Sequence, residues 1–156
     1  MSSDLVQLEA ELIGFSYRTE DGGFAVGRMR GTEVGVFVAV GMLGHVNEGQ
    51  HLVLNGRWTT HRQFGRQLRV DSVLIEDPRT IRGLERYLGS GAIRGLGPEM
   101  ARRLVAHFGL QTLHVIDHEP QRLREVRGIG KKRSRTILEH WAEDRAMREI
   151  HASLRG

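Results

Sequence analysis

The sequence predicts an α+β chain of two domains: a small β-barrel over residues 1–78, then an all-α domain over residues 79–156. Three observations carry this reading. Apolar residues follow a strand-like period up to about Glu76, and beyond Asp77-Pro78 they recur at helical spacing. Charge divides at the same place. Residues 1–78 hold 7 Lys+Arg against 10 Asp+Glu, net −3; residues 79–156 hold 16 against 9, net +7, together the +4 of the chain. Finally, Ile93-Arg94-Gly95-Leu96-Gly97 recurs as Val126-Arg127-Gly128-Ile129-Gly130, an offset of 128 − 95 = 33 residues. A fixed period in that range marks one supersecondary unit used twice.

Five strands are expected in the first half, over about Gln7–Phe15, Gly23–Arg30, Glu33–Gly41, His51–Thr59 and Arg66–Glu76. Val34, Val36, Val38 and Val40 alternate with Gly35, Phe37 and Ala39, and Leu68 and Val70 continue a similar alternation later. Asp21-Gly22-Gly23 signals a hairpin, and Gly31-Thr32 a tight connection. Five strands in so short a span fit a small closed barrel of the OB-like type, with an SH3-like barrel as the alternative. Met42–Gly49 is short for the helix that many OB-folds carry between strands three and four. Loops one-to-two and four-to-five flank the binding face of such a barrel. Tyr17 and Arg18 are placed in the first; His61-Arg62-Gln63-Phe64-Gly65-Arg66 forms the second, an aromatic between two arginines. Aromatics that stack bases beside cations that meet phosphates make a single-strand site. Phe64 either stacks a base or folds back onto the barrel rim. Trp58 shares strand parity with Leu52 and Leu54, which assigns it to the core.

In the second half, Ile81, Leu84, Tyr87 and Leu88 form a helical stripe ending at Gly89-Ser90-Gly91. Pro98 stands at the first position of the next helix, where its missing N–H costs nothing. Met100, Ala101, Leu104, Val105 and Phe108 give that helix its buried face, and Gly109 stops it. Leu113–His118 and Pro120–Val126 are short helical connectors, and a last helix from about Lys131 buries Ile137, Leu138 and Trp141. The 33-residue offset carries Ala101 to Ser134, Leu104 to Ile137, Val105 to Leu138 and Phe108 to Trp141. It also carries Arg94 to Arg127 and Arg102 to Arg135, four arginines expected to meet phosphates at the hairpins.

Each repeated unit reads as apolar residue, x, Gly, apolar residue, Gly, then an amphipathic helix. The glycines permit a tight turn, Gly130 is expected at positive φ, and the following helix starts with its N–H groups uncovered. Such an end binds anions, because unpaired donors and the helix dipole point the same way. The pattern resembles the tandem helix-hairpin-helix domain, a sequence-independent DNA-binding module. The two copies are unequal. Pro98-Glu99 removes a donor and adds a carboxylate after the first hairpin, whereas Lys131-Lys132-Arg133 offers every donor and three positive charges after the second. The second is expected to be the stronger phosphate clamp.

Other chemistry is set aside. Cysteine is absent, which removes disulfides and thiolate metal sites and fits an intracellular protein. No stretch approaches the roughly 18–20 apolar residues of a membrane span, so a soluble, cytoplasmic protein is expected. Gly128-Ile129-Gly130-Lys131-Lys132 lacks the earlier Gly and the Lys-Ser/Thr pair of an NTPase phosphate loop. His114 and His118 suggest no third metal ligand and are read as surface histidines. No nucleophile–base pair or carboxylate dyad stands out, and no catalytic residue is assigned.

In order, the motifs resemble the N-terminal region of RecD-like ATP-dependent DNA helicases. In the barrel the resemblance rests on Gly22-Gly23-Phe24-Ala25-Val26, Gly49-Gln50-His51-Leu52 and Gly56-Arg57-Trp58 leading to His61–Leu68. In the helical half it rests on Tyr87-Leu88-Gly89-Ser90-Gly91, Ile93 to Gly97, Phe108-Gly109, Thr112–Ile116, Gly128-Ile129-Gly130 and Arg145–Glu149. It implies an OB-like barrel followed by a tandem helix-hairpin-helix domain, with DNA contact at Gly95, Gly97, Gly128 and Gly130. The motor of such 5′→3′ helicases lies C-terminal to this region, so the resemblance implies a fragment or truncated relative. ATP and magnesium belong to that motor, and a monovalent cation on hairpin carbonyls is a further expectation. The implied role is DNA repair or recombination, as a monomer that meets single-stranded or duplex DNA and other repair proteins. Two alternatives stay open: a stand-alone junction or duplex binder resembling RuvA, and a protein-interaction module docking a repair partner.

Overall fold

The computed structural model describes residues 4–91, 93 and 95–155, with side chains as far as Glu143. The chain divides into two compact units, Met1–Pro78 and Arg79–Gly156.

The first unit is a closed barrel of β1 (Leu5–Arg18), β2 (Ala25–Gly31), β3 (Val36–Gly41), β4 (His51–His61) and β5 (Gly65–Glu76). Its strand order is β1-β2-β3-β5-β4, and β4 closes onto β1. β3 and β5 run parallel through Ala39↔Leu68 and Val40↔Arg69, and the remaining pairs are antiparallel. This Greek-key path is the OB-like arrangement and displaces the SH3-like alternative. Inward positions follow the expected alternation. Ala25 and Met29 on β2, Phe37 and Ala39 on β3, Leu52 and Leu54 on β4 and Leu68 on β5 fill the core with Leu12 of β1. Residues Met42–Gln50 contain no helix; Leu43 and Val46 are tucked into the barrel, and Asn47 N–H donates to the Gln50 side chain at 2.7 Å.

Two element assignments change. β1 runs through Tyr17 and Arg18, paired with Val26 and Ala25, so both residues stand on a strand and not in the first loop. Register shifts at Leu12/Gly14 and Phe15/Tyr17 let the pairing continue past the apolar pattern, because a bulge absorbs a residue without ending the ladder. β3 starts at Val36, not Glu33, since the turn through Gly35 (φ +75°) closes on Gly31 N–H with a 2.8 Å bond.

The second unit is helical: α1 (Ile81–Gly89), α2 (Pro98–Phe108), α3 (Thr112–His118) and α4 (Lys131–Arg155). Short 3-10 segments occupy Gly109–Gln111 and Pro120–Glu125. Thr80 caps α1 by accepting Gly83 N–H at 2.8 Å. The apolar stripes converge on one core in which Tyr87, Leu88, Leu104 and Ile137 are fully buried. Trp141 closes it, edge-on to Tyr87, and its Nε1 donates to Asp117 Oδ1 at 2.7 Å, which pins α4 to α3. Among the described residues, no helix is long and apolar enough to cross a membrane.

Candidate nucleic-acid interface

The two hairpins are the same object built twice. Leu96 N–H bonds Ile93 C=O, and 33 residues later Ile129 N–H bonds Val126 C=O. Leu96 and Ile129 both plug into the helical core. Positive φ falls on the first glycine of each pair, Gly95 (+82°) and Gly128 (+95°). That corrects the expectation for Gly130: neither Gly97 nor Gly130 has positive φ, and Gly97 is an extended N-cap residue with φ −89°. The turn needs a left-handed residue before the apolar plug, and the second glycine already leads into the helix. A Cβ at Gly97 or Gly130 would meet nothing within 4 Å. Neither backbone conformation nor internal space demands glycine there; what its missing side chain leaves bare is the approach from solvent.

Each hairpin is braced by the helix of the other repeat. A Cβ on Gly95 would lie 3.2 Å from Thr136 of α4, and one on Gly128 would lie 2.9 Å from Arg103 of α2. Thr136 and Arg103 are themselves 33 positions apart, so the contact is exchanged pseudo-symmetrically. Arg103 Nη1 also donates to Arg127 C=O at 3.3 Å. This support was not visible in the sequence, because it joins residues that neither helical spacing nor the repeat alignment places together.

The helix starts differ as their sequences require. In α4 the first intrahelical bond is Ser134 N–H to Gly130 C=O (2.9 Å), which leaves the N–H groups of Lys131, Lys132 and Arg133 ahead of it. All three of these side chains are exposed. In α2 the matching bond is Ala101 N–H to Gly97 C=O (2.9 Å), and Pro98 removes one of the three donors. Arg102 Nη2 bonds Glu99 Oε2 at 2.6 Å, with Arg103 Nε 3.6 Å from the other oxygen. The Arg102 hydrogen bond holds the Glu99 carboxyl below its ordinary value. Arg102 is therefore engaged by a carboxylate beside the hairpin it was expected to serve. Its repeat partner Arg135 is exposed and lines a groove described below, and Arg127 is exposed at the second hairpin. Arg94 lies outside the described residues.

On the barrel, Phe64 is 67% exposed at the tip of the β4–β5 turn, so it does not fold back onto the rim. His61 Nδ1 accepts both Gln63 N–H (3.0 Å) and Phe64 N–H (3.1 Å), and the His61 and Phe64 rings lie 4.8 Å apart. Arg62 is exposed beside them. Arg66 instead lays its guanidinium 4.0 Å over Trp58, which is half-buried and edge-on to Phe37. Tyr17 is 56% exposed and tilted towards Phe24, while Arg18 reaches Gly44 C=O at 3.3 Å. The outward residues of β2 and β3 add Arg28 opposite Val38, and Arg69 of β5 stands opposite Val40. Arg28 and Arg69 escaped the sequence reading because their common face exists only once β3 is known to pair with β5.

Among the described residues, no group of three or more His, Cys, Asp or Glu side chains is arranged to hold a metal. The His114 and His118 rings lie 4.8 Å apart, tilted to one another, with Glu119 3.7 Å from His114, and they belong to no metal-holding group among the described residues.

A closed OB-like barrel followed by paired hairpins joins two modules that are used to bind nucleic acids. Residues 5–78 match the family model described as the OB-fold domain of the ATP-dependent DNA helicase YrrC, and residues 88–143 match the SAM-like helix-hairpin-helix tandem. The ATP-dependent RecD2 DNA helicase of Deinococcus radiodurans is 26% identical over 99 residues, covering 62% of this chain and 14% of the relative. The chain thus matches about one seventh of that helicase's length. These matches, in this order, fit the N-terminal region of RecD-like helicases.

Proposed function

We propose that this chain binds DNA without sequence preference as the N-terminal region of a RecD-like 5′→3′ helicase serving repair or recombination. The observation carrying the proposal is the second hairpin. A bare glycine, three leading N–H groups and the exposed Lys131, Lys132 and Arg133 lie together at one helix start suited to a backbone phosphate. Nothing in that arrangement selects a base, so recognition there is of the backbone. The barrel contributes a separate single-strand surface through Tyr17, Phe64, Arg62 and Arg18. ATP and magnesium are the concern of the motor that follows such a region in RecD-like helicases. A monovalent cation on a hairpin carbonyl is part of the same proposal.

The test is equilibrium binding of the purified chain to duplex and single-stranded oligonucleotides across a salt series, with sedimentation to count subunits. Affinity that falls steeply with salt, indifferent to sequence, on a monomer, is the expected result. A symmetric tetramer selective for junctions would favour a RuvA-like binder, and no DNA binding at low salt would favour a protein-docking role.

A further inference from the structure

Beside the second hairpin, the 3-10 segment Pro120–Glu125 and the first turns of α4 enclose an open groove of about 630 Å³, within the size range of small-ligand sites. Chain order gives it polarity. The 3-10 segment runs towards the hairpin and α4 runs away, so Arg124 and Lys131 lie at the hairpin end, with Arg135 one turn further along. Ser134, which is buried, lines the groove between Lys131 and Leu138. The far end changes character: Pro120 and Leu138 are apolar, and Gln121 and Glu139 bring an amide and a carboxylate. An anion suits the first end alone. A flat group with both donors and acceptors on its rim suits the second.

We infer that this groove holds one unpaired nucleotide, its phosphate between Arg124 and Ser134 and its base over Pro120 and Leu138 beside Gln121 and Glu139. The inference rests on the hairpin reading above, since the strand reaches the groove from the phosphate clamped at Gly130. It makes the helical unit a reader of duplexes that carry an unstacked nucleotide, because a fully paired base cannot leave its stack without cost.

The experiment compares the whole chain on a blunt duplex, the same duplex with one bulged thymidine, and a version whose bulge is abasic. The bulged thymidine should bind about tenfold tighter than the blunt duplex, the scale of one charge-assisted contact. Arg124→Gln combined with Gln121→Ala should erase that preference while shifting blunt-duplex affinity by no more than about twofold; both side chains are exposed, so the fold is spared. Lys131→Glu with Lys132→Glu should weaken all three substrates. Equal affinity of the wild type for blunt and bulged duplex overturns the groove assignment and leaves the hairpin reading standing. An abasic bulge bound as tightly as the thymidine reduces the groove to an anion site and overturns it as a base holder. A preference that survives Arg124→Gln with Gln121→Ala also overturns it. Absence of binding to every substrate overturns both readings together.

Discussion

Replacing Lys131 and Lys132 together by Glu tests the phosphate clamp at its source. Both side chains are exposed at the start of α4, away from the core positions Ser134, Ile137 and Trp141. The variant should therefore stay folded. Each neutralised duplex phosphate contributes a slope of about −0.9 to log K against log salt, so four contacts give roughly −3.6. Loss of one or two contacts should make the slope shallower by roughly one to two units. Between about 50 and 200 mM salt, each contact removed spares roughly a 3.5-fold loss of affinity, so wild type and variant should converge as salt rises. Fluorescence anisotropy on a labelled duplex at several salt concentrations reads both quantities, with circular dichroism to check the fold. Glu99→Lys is the counterpart at the first hairpin: it frees Arg102 and removes a carboxylate, so affinity should hold or rise. The asymmetry is refuted if the double Lys change is silent while Gly97→Val, which the chain itself has room for, abolishes binding.

Three further outcomes are expected. Phe64→Ala should cost single-strand binding about 1–3 kcal/mol and leave duplex binding and barrel stability nearly unchanged, as titration of both substrates and thermal melts would show. Gly128→Ala should destabilise the helical unit by about 1–2 kcal/mol or more, from its left-handed φ and the crowding against Arg103 and Met100; Gly130→Ala should leave urea denaturation unaltered and weaken DNA binding. Glu99, Glu125 and Asp21 have carboxyls held below their ordinary values, Glu99 by the Arg102 hydrogen bond, Glu125 by Arg122 and then His107, Asp21 by Thr19. With folded values below unfolded ones, their support is present above the ordinary carboxylate range and disappears as pH falls through the depressed values. Melting followed from pH about 6 down to about 3 should show a small acid-limb loss that Glu99→Gln reduces.

The stripes through Leu104 and Ile137 were legible because burial imposes its period on sequence; on β3 both faces are apolar, and the alternation alone did not show that Phe37 and Ala39 turn inward while Val36 is exposed. The repeat was legible too, and the structure builds it with matched hydrogen bonds at Leu96 and Ile129. Tyr17 and Arg18 were misplaced because a bulged strand outlasts its hydrophobic pattern. Trp58 was assigned to the core by parity and does pack against it, but Arg66 covers its ring, a contact between two strands that no local pattern encodes. The positive φ was assigned to the wrong glycine because the Gly-apolar-Gly spacing does not say which of the two turns the chain. The face with Arg28 and Arg69, and the groove between Arg124 and Ser134, depend on strand order and on packing between distant segments.

The exchanged bracing of Gly95 by Thr136 and Gly128 by Arg103 makes the two hairpins jaws of a calliper. Since each jaw is set by the helix behind the other, their separation is a property of the packed core and not of either loop. The first jaw carries Pro98 and Glu99 at its helix start and still contributes Arg103, which lies against the second. On the proposed phosphate-clamp reading, the first hairpin would act as a gauge that sets where along the backbone the second one closes.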